Sequence, residues 1–101
     1  MIIVTGAIRF ASGELDRVKD ALVRNVESSR GEGGCDVYAY ARDLIEPDLL
    51  RIVEHWRDEA AFAEHAKRAE ELLAPLKEAK VETMSIAAYD ASFFRTIVGD
   101  A

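Results

Sequence analysis

The sequence predicts an α+β protein of the ferredoxin-like type, in which a four-stranded antiparallel sheet carries both helices on one face. Two observations lead to this fold class. Four segments have the apolar alternation or the β-branched content of strands, and two others repeat apolar residues at helical spacing. Their order is β-α-β-β-α-β. No repeat or linker interrupts it, so one domain is expected over residues 1–101.

The first strand and the first helix are predicted within the first third of the chain. Alternating apolar positions share one face of the strand: Ile2, Val4, Gly6, Ile8 and Phe10. Ser12 is expected to cap the helix, and Glu14 and Asp16 favour its start through the helix dipole. Its apolar stripe follows at helical spacing: Leu15, Val18, Leu22, Val26 and Ser29. A glycine cluster, 31–34, predicts its end.

Two further strands are predicted as a hairpin. They span Cys35–Arg42 and Leu49–Trp56, and the short segment between them, which contains Pro47, is turn-like. A connection this short joins antiparallel neighbours. The residues alone leave open which face of the sheet meets the helices, because both faces of these strands carry apolar side chains.

The second helix is expected to begin after Asp58, its predicted N-cap. Pro75 lies inside the helical pattern and lacks the amide of an unbroken ladder. The helix is therefore predicted to break, with one segment ending around 65–68 and another reaching towards Lys77. A fourth strand is predicted over Val81–Ala91, followed by a tail, Ser92–Ala101.

The apolar residues of the strands also predict an oligomer. Helices on one face leave the other face uncovered, and an uncovered apolar face of this size usually marks an interface. A homodimer with sheet packed on sheet is expected. The tail is expected to dock on the sheet edge or on the partner subunit, because it carries four large apolar residues: Phe93, Phe94, Ile97 and Val98.

Charge and composition exclude several classes of partner. The formal net charge is -6, and no basic stripe with interleaved aromatics occurs, so nucleic acid is not an expected partner. No apolar run approaches the ~20 residues that span a membrane. The chain has one cysteine, Cys35, and its apolar N-terminus lacks the features of a signal peptide. A cytoplasmic protein is expected.

Two stretches carry a resemblance to a known family. Gly34–Tyr38 reads GCDVY, and Glu54–His65 reads EHWRDEAAFAEH. A G-C-x-x-Y strand start, an E-x-W strand end and a histidine nine residues after the tryptophan resemble the antibiotic biosynthesis monooxygenase family. The resemblance implies a homodimeric α+β barrel with one ligand cavity per subunit between helices and sheet. Members of that family include monooxygenases that oxidise quinols and anthrones without metal or organic cofactor, alongside many proteins of unknown activity, so the resemblance by itself does not fix the function.

The same family includes haem-degrading enzymes, and the sequence argues against that branch. By this resemblance, a member of the haem-degrading branch would have an axial histidine on the helix that follows the His65 position, and an aromatic residue in place of His65 itself. Residues 66–80 contain no histidine, and Gly6 stands where that branch uses an amide side chain. Haem is therefore not an expected cofactor.

Cofactor-free oxygenation needs a dry cavity, groups that orient the substrate hydroxyls, and a proton acceptor. His65 is the candidate catalytic base, since it lies on the core-facing stripe and a histidine titrates near neutrality. The alternative is a structural histidine bonded to a backbone carbonyl. The candidate substrate-binding residues are Trp56, Tyr38, Tyr40, Phe62, Asn25 and Arg42.

Several of these residues also have a structural interpretation, and Tyr38, Tyr40 and Arg42 face either the ligand or the dimer partner. Trp56 is favoured as a plug at the sheet end, Asn25 as a solvated helix edge, and Glu54 as one half of a cross-strand or interface ion pair. Cys35 is expected to be a small core residue, and no cluster of metal ligands is predicted. Two functions therefore stay open: a monooxygenase acting on a small hydroxylated aromatic, and a non-catalytic dimeric barrel that binds a small apolar ligand.

Overall fold

The computed structural model describes residues 1–99, which form four strands and three helices. The elements in chain order are β1 (Ile2–Phe10), α1 (Glu14–Arg30), β2 (Cys35–Arg42), β3 (Leu49–Trp56), α2 (Glu59–Ala66), α3 (Ala69–Glu78) and β4 (Val81–Asp90). The sheet is antiparallel and carries the helices on one face. The predicted fold class is confirmed. The last two residues of the predicted domain lie outside the described residues.

The strand register decides which side chains face the helices. The sheet order is β2-β3-β1-β4. Glu54 on β3 pairs with Val4 on β1 and with Tyr38 on β2, so these three lie in one row across the sheet. Val4, Tyr38 and Glu54 are all buried. The face with Tyr38, Tyr40, Glu54 and Trp56 therefore meets the helices, because residues two apart on a strand share a face.

The space between sheet and helices holds two clusters of buried residues. One, here called the α1 cluster, is entirely apolar: Ile8, Phe10, Leu15, Val18, Leu22, Leu50 and Ile52. The other, here called the aromatic cluster, lies at the opposite end of the central strands: Ile2, Val4, Tyr38 and Trp56. Fully burying one large apolar side chain contributes roughly 1.5–3 kcal/mol, so the α1 cluster is a major source of stability.

The helices α1 and α2 begin differently. Ser12 does not cap α1; the N-cap is Gly13, in a left-handed conformation with φ 81°. The carboxylate of Glu14 instead accepts bonds from Arg17 and from the Lys80 amide, which lower its pKa to about 2. Asp58 does cap α2 as predicted, since its side chain accepts a bond from the Ala61 amide at 2.8 Å.

The predicted break of the second helix is confirmed, but its position differs from that of the proline. The break falls at Lys67 and Arg68, whose amides bond to the carbonyls three residues earlier. Pro75 lies inside α3 and does not end it. The tight turn at 67–68 starts a new helix, and Pro75 then costs only the bond that its missing amide would have made.

The tail is only partly as expected. β4 ends at Asp90, and the Ala91 amide bonds to the Met1 carbonyl at 2.8 Å. Beyond it Phe93, Phe94, Ile97 and Val98 are 73–90% exposed, so the expectation that they dock on the edge of their own sheet is wrong. Residues 100–101 of the predicted tail lie outside the described residues. Docking on a partner subunit stays a prediction.

Candidate functional site

A cavity lies between the sheet and the α2–α3 segment. Its volume is about 280 Å³, close to the lower end of the ~300–1,000 Å³ typical of ligand pockets. Apolar side chains make most of the wall, including Val4, Ile52, Phe62, Leu72, Leu76 and Ile86. Four polar side chains share it: Tyr38, Tyr40, Glu54 and His65. The polar groups converge on one region of a mostly apolar cavity.

His65 is buried in the cavity wall with both ring nitrogens near carboxylates. It lies in the last turn of α2 and is 7% exposed. Nδ1 is 2.8 Å from Oε2 of Glu32, and Nε2 is 3.7 Å from Oε1 of Glu54. The expected structural alternative, a bond to a backbone carbonyl, is thus replaced by a bond to a carboxylate. Such a partner fixes the orientation of an imidazole ring.

Trp56 stands behind His65, outside the cavity wall. The indole is fully buried, and its ring centroid lies 4.3 Å from that of His65 at an interplanar angle of 32°. Nε1 donates to Oε1 of Glu54 at 2.9 Å. Since Trp56 does not line the cavity, the structure favours support of His65 and Glu54 over direct contact with a ligand.

Glu54 faces the helices, so the expectation of a cross-strand or interface ion pair is wrong. Its side chain is buried in the cavity wall, and its Oε1 lies close to Nε1 of Trp56 and Nε2 of His65. Burial raises the pKa of the Glu54 carboxyl, and the bond from Trp56 and the proximity of His65 act against that rise. A carboxyl in such surroundings has a pKa closer to neutrality than that of an exposed carboxyl.

Tyr38 and Tyr40 lie one above the other on the helix-facing side of β2. Their hydroxyls are 2.9 Å apart, and both line the cavity. Burial raises the pKa of each phenol, most strongly for Tyr38, where the neighbouring Tyr40 adds to the rise. Both therefore stay neutral near pH 7 and act as hydrogen-bond donors, which leaves His65 and Glu54 as the proton acceptors of the cavity.

Glu32 is a site residue that the sequence did not reveal. It lies in the turn between α1 and β2, where Arg68 pairs with its Oε1 and His65 with its Oε2. Gly34 brings this turn against α2: its φ is 81°, and an added Cβ would lie 2.5 Å from Cβ of Ala61. The glycines around Glu32 signal a tight turn, but no local pattern reveals a partner 33 residues away.

Two predicted substrate-binding residues lie elsewhere. Asn25 is buried instead of solvated, and its Nδ2 donates to the Leu72 carbonyl at 2.8 Å, which ties α1 to α3. Arg42 pairs with Asp16 at 2.7 Å and lines a separate groove of about 490 Å³ between α1 and β2. That groove is larger than the cavity but contains neither histidine. Of the predicted residues, the cavity wall contains His65, Tyr38, Tyr40 and Phe62.

Residues 1–99 offer neither a metal centre nor a reactive cysteine. Within residues 1–99 no group of three or more His, Cys, Asp or Glu side chains could hold a metal ion. Burial raises the pKa of the Cys35 thiol, which disfavours the reactive thiolate. No helix in this part of the chain is long and apolar enough to cross a membrane.

The fold and cavity define a class: a ferredoxin-like α+β protein with a histidine in the wall of a pocket between helices and sheet. The sequence profile of the antibiotic biosynthesis monooxygenases matches residues 1–78. The chain belongs to this family. The suspected resemblance is thus confirmed. No curated protein matches the chain in sequence.

Solved structures with the same fold cover nearly all of the chain. A Deinococcus radiodurans protein assigned to the antibiotic biosynthesis monooxygenases is 28% identical, with a TM-score of 0.88 over 98% of this chain and 100% of its own. A Pseudomonas aeruginosa protein is 26% identical, with a TM-score of 0.75 over 91% of this chain and 94% of its own. A Nitrosomonas europaea structure at 16% identity, with a TM-score of 0.81 over 92% of this chain and 100% of its own, supports the fold alone.

Proposed function

We propose that the protein is a cofactor-independent monooxygenase that oxidises a small hydroxylated aromatic, of the quinol or anthrone kind, with molecular oxygen. One observation carries the proposal. His65 lies in the wall of a mostly apolar cavity with a carboxylate beside each ring nitrogen. A neutral imidazole placed in this way accepts a proton from a bound phenol or activated methylene, and apolar walls keep water away from the product.

The chemistry requires no external reductant. Loss of a proton from an activated methylene leaves a carbanion that reduces O2 and forms a C–O bond. The peroxide takes the proton back from His65 and becomes a hydroperoxide. The base then removes the remaining C–H proton, the O–O bond breaks, and the hydroxide that leaves takes up that proton. The oxidation of a methylene to a carbonyl supplies all the electrons that reduce O2 to one carbonyl oxygen and one water.

The remaining polar groups of the cavity fit the binding of such a substrate. The hydroxyls of Tyr38 and Tyr40 are neutral and bond to each other, which leaves one O–H to donate to a phenolate or carbonyl oxygen. Phe62 adds an aromatic face to the wall, where offset or edge contacts hold a planar ring. Glu54 lies beside Nε2 of His65 and is a second proton acceptor in the cavity wall.

An alternative function rests on the same cavity. Its wall is mainly aliphatic, and its volume of about 280 Å³ suits a small apolar ligand without any reaction. In that case the protein is a non-catalytic binding module, and the polar cluster around His65 serves to hold α2 against the sheet. Turnover distinguishes the two functions, because both allow binding.

We also propose a homodimer in the cytoplasm. The helix-facing side of β4 exposes Met84 and Ile86, and the tail beyond it exposes four more large apolar residues. A second copy would cover this surface, and a standard interface buries about 800 Å² per partner. The single cysteine is compatible with a reducing compartment.

The test is oxygen consumption with a panel of quinols and anthrones, after treatment of the protein with a chelator. His65→Gln is the test variant, and His55→Gln is its matched control, because His55 lies on the opposite face of the sheet. We expect one O2 consumed per substrate oxidised, near-normal turnover in His55→Gln, and loss of turnover in His65→Gln. Binding of the panel without any oxygen uptake would favour the non-catalytic alternative.

A further inference from the structure

Glu32 connects the inside of the molecule to its outer surface. Its Oε2 bonds to the buried His65, which lines the cavity. The same side chain lines an outer groove together with Arg57, Glu64 and Arg68. Its side chain is 21% exposed, against 7% for that of His65. One side chain therefore spans the wall between the cavity and solvent.

The chemistry of the Glu32–His65 bond decides the protonation pattern of the ring. An ionised carboxylate has only acceptor atoms, so the bond at 2.8 Å requires the proton on Nδ1 of His65. In a neutral imidazole the other nitrogen, Nε2, then has the free lone pair. Nε2 lies towards Glu54, which itself lines the cavity. The bond thus presents the basic nitrogen where a substrate would bind.

Arg68 holds Glu32 in place. Its guanidinium pairs with Oε1 of Glu32, donates to Oγ of Ser28 at 2.7 Å and bonds to Glu71 at 3.3 Å. Arg68 occupies this position because the helix breaks at 67–68 and restarts at Ala69. The break therefore places a cation behind the carboxylate that faces the histidine. Charge-assisted bonds of this kind fix geometry more firmly than neutral ones.

Glu54 does not perform the same task. Its Oε1 is 3.7 Å from Nε2 of His65, beyond hydrogen-bond distance, and that oxygen already accepts the Trp56 N–H at 2.9 Å. The other ionisable side chain that faces the ring is Tyr38 on β2, whose ring centroid is 5.4 Å away. Among the described residues around His65, only Glu32 makes a hydrogen bond to the ring.

We propose that Glu32, anchored by Arg68, is a positioning residue that keeps His65 in the Nδ1–H tautomer and so presents Nε2 as the proton acceptor of the cavity. The catalytic consequence rests on the proposed function. The tautomer itself does not, because it follows from the contacts of the ring. Glu32 touches no substrate in this arrangement and acts through His65.

The first readout is the tautomer, observed by 15N NMR of histidine-labelled protein at about pH 8.5, where an imidazole is mostly neutral. The chain has two histidines, so His55→Gln assigns the signals of His65. We expect the Nδ1–H form in the wild type. Glu32→Ala should shift the population towards the Nε2–H form that free imidazole side chains favour.

Two further variants separate the bond from the fold. Glu32→Asp keeps a negative charge near Arg68 but is one methylene too short for the bond at 2.8 Å, so it should lose the tautomer bias while folding normally. Glu32→Gln has full length but only one acceptor oxygen, which Arg68 takes; its amide N–H then faces Nδ1 and should favour the Nε2–H form. Glu64→Gln is the surface control, since Glu64 lines the same groove and pairs with Lys67.

The second readout is kinetic and uses any substrate that turns over. Glu32→Asp should lower kcat at least about tenfold with little change in KM, a smaller loss than the ~100–10,000-fold expected for removal of a general base. Glu64→Gln should match the wild type. If no substrate turns over, the proposed function fails while the tautomer still decides the role of Glu32. A wild-type ring in the Nε2–H form, or an unchanged tautomer in Glu32→Asp, would overturn the inference.

Discussion

The two clusters of buried residues under the helices differ in chemistry and in packing. The α1 cluster is built from aliphatic side chains and one phenylalanine, and it closes around Ile8 and Phe10 at 1% exposure each. The aromatic cluster contains Tyr38 and Trp56, borders the buried Glu54 and His65, and leaves an open cavity. One end of the sheet buries apolar side chains alone, and the other buries ionisable side chains beside a cavity.

The difference indicates that the candidate site belongs to the end of the sheet with the aromatic cluster. Buried polar groups cost free energy unless they are bonded, and the two buried ionisable side chains beside the aromatic cluster both have partners. The Glu54 carboxyl accepts a hydrogen bond from Trp56, and the His65 ring is hydrogen-bonded to Glu32. Apolar side chains would fill this position without the cost of burying ionisable groups, so the buried Glu54 and His65 make this end the candidate functional site.

The largest effect should come from His65 itself. His65→Ala is expected to lower turnover about 100–10,000-fold, the range for loss of a general base. The thermal transition should change little, because Glu32 keeps its pair with Arg68. Steady-state oxygen uptake and a melting curve on the same preparation check both halves. Turnover close to that of the wild type would return His65 to a structural role.

The next effect contrasts the two clusters through their phenylalanines. Phe10→Ala empties a site that is 1% exposed and should cost about 3–5 kcal/mol of unfolding free energy, a large share of the ~5–15 kcal/mol of a small domain. Phe62→Ala borders an open cavity and should cost less, while it raises KM. Urea titrations of both variants measure the contrast. Equal losses would contradict the assignment of Phe62 to the ligand wall.

Much of the fold was predictable because its signals are local. Alternation located β1, and Asp58 marked the start of α2. Ser12 failed as a cap because Gly13 adopts the left-handed conformation that ends the preceding turn. The helix breaks at residues 67–68, well before Pro75, at a turn that places Arg68 beside Glu32. Local sequence does not predict this contact, because the two residues are far apart in the chain.

The site was less predictable, since it depends on which side chains meet. His65, Tyr38, Tyr40 and Phe62 reach the cavity because they share the helix-facing side, which periodicity can suggest. Sequence alone suggests an ion pair at the sheet surface for Glu54, because it does not reveal that this side chain is buried. Asn25 and Arg42 have the right chemistry but bond to Leu72 and Asp16 instead.

A smaller effect is expected at the tyrosine pair. Tyr40→Phe removes one hydroxyl of the 2.9 Å contact with Tyr38, and a net hydrogen bond contributes about 0.5–1.5 kcal/mol. The variant should therefore lower the free energy of unfolding by about that amount and raise KM for a hydroxylated substrate severalfold. Substrate titrations against Tyr38→Phe and Tyr40→Phe compare the two hydroxyls. Unchanged KM in both variants would remove them from the substrate site.

The smallest effect concerns pH. Burial raises the pKa of Glu54, so between its ordinary pKa and the raised one the folded state binds more protons than the unfolded state. This group alone makes unfolding free energy fall as pH rises through that window. Glu54→Gln keeps an acceptor for Trp56 and should lose this contribution. The carboxyls with lowered pKa, such as Glu14, are common to both proteins, so the difference between their stability curves isolates Glu54. Parallel curves would contradict a raised pKa.

The central claim is that the cavity of the aromatic cluster removes a proton from its substrate through His65. The most direct measurement is exchange of an anthrone methylene hydrogen for deuterium in D2O without oxygen, followed by NMR. Oxygen chemistry is then absent, and proton transfer is observed alone. The wild type and His55→Gln should accelerate exchange, and His65→Gln should return it to the buffer rate. Exchange at the buffer rate with the wild type, or undiminished acceleration by His65→Gln, would contradict the claim.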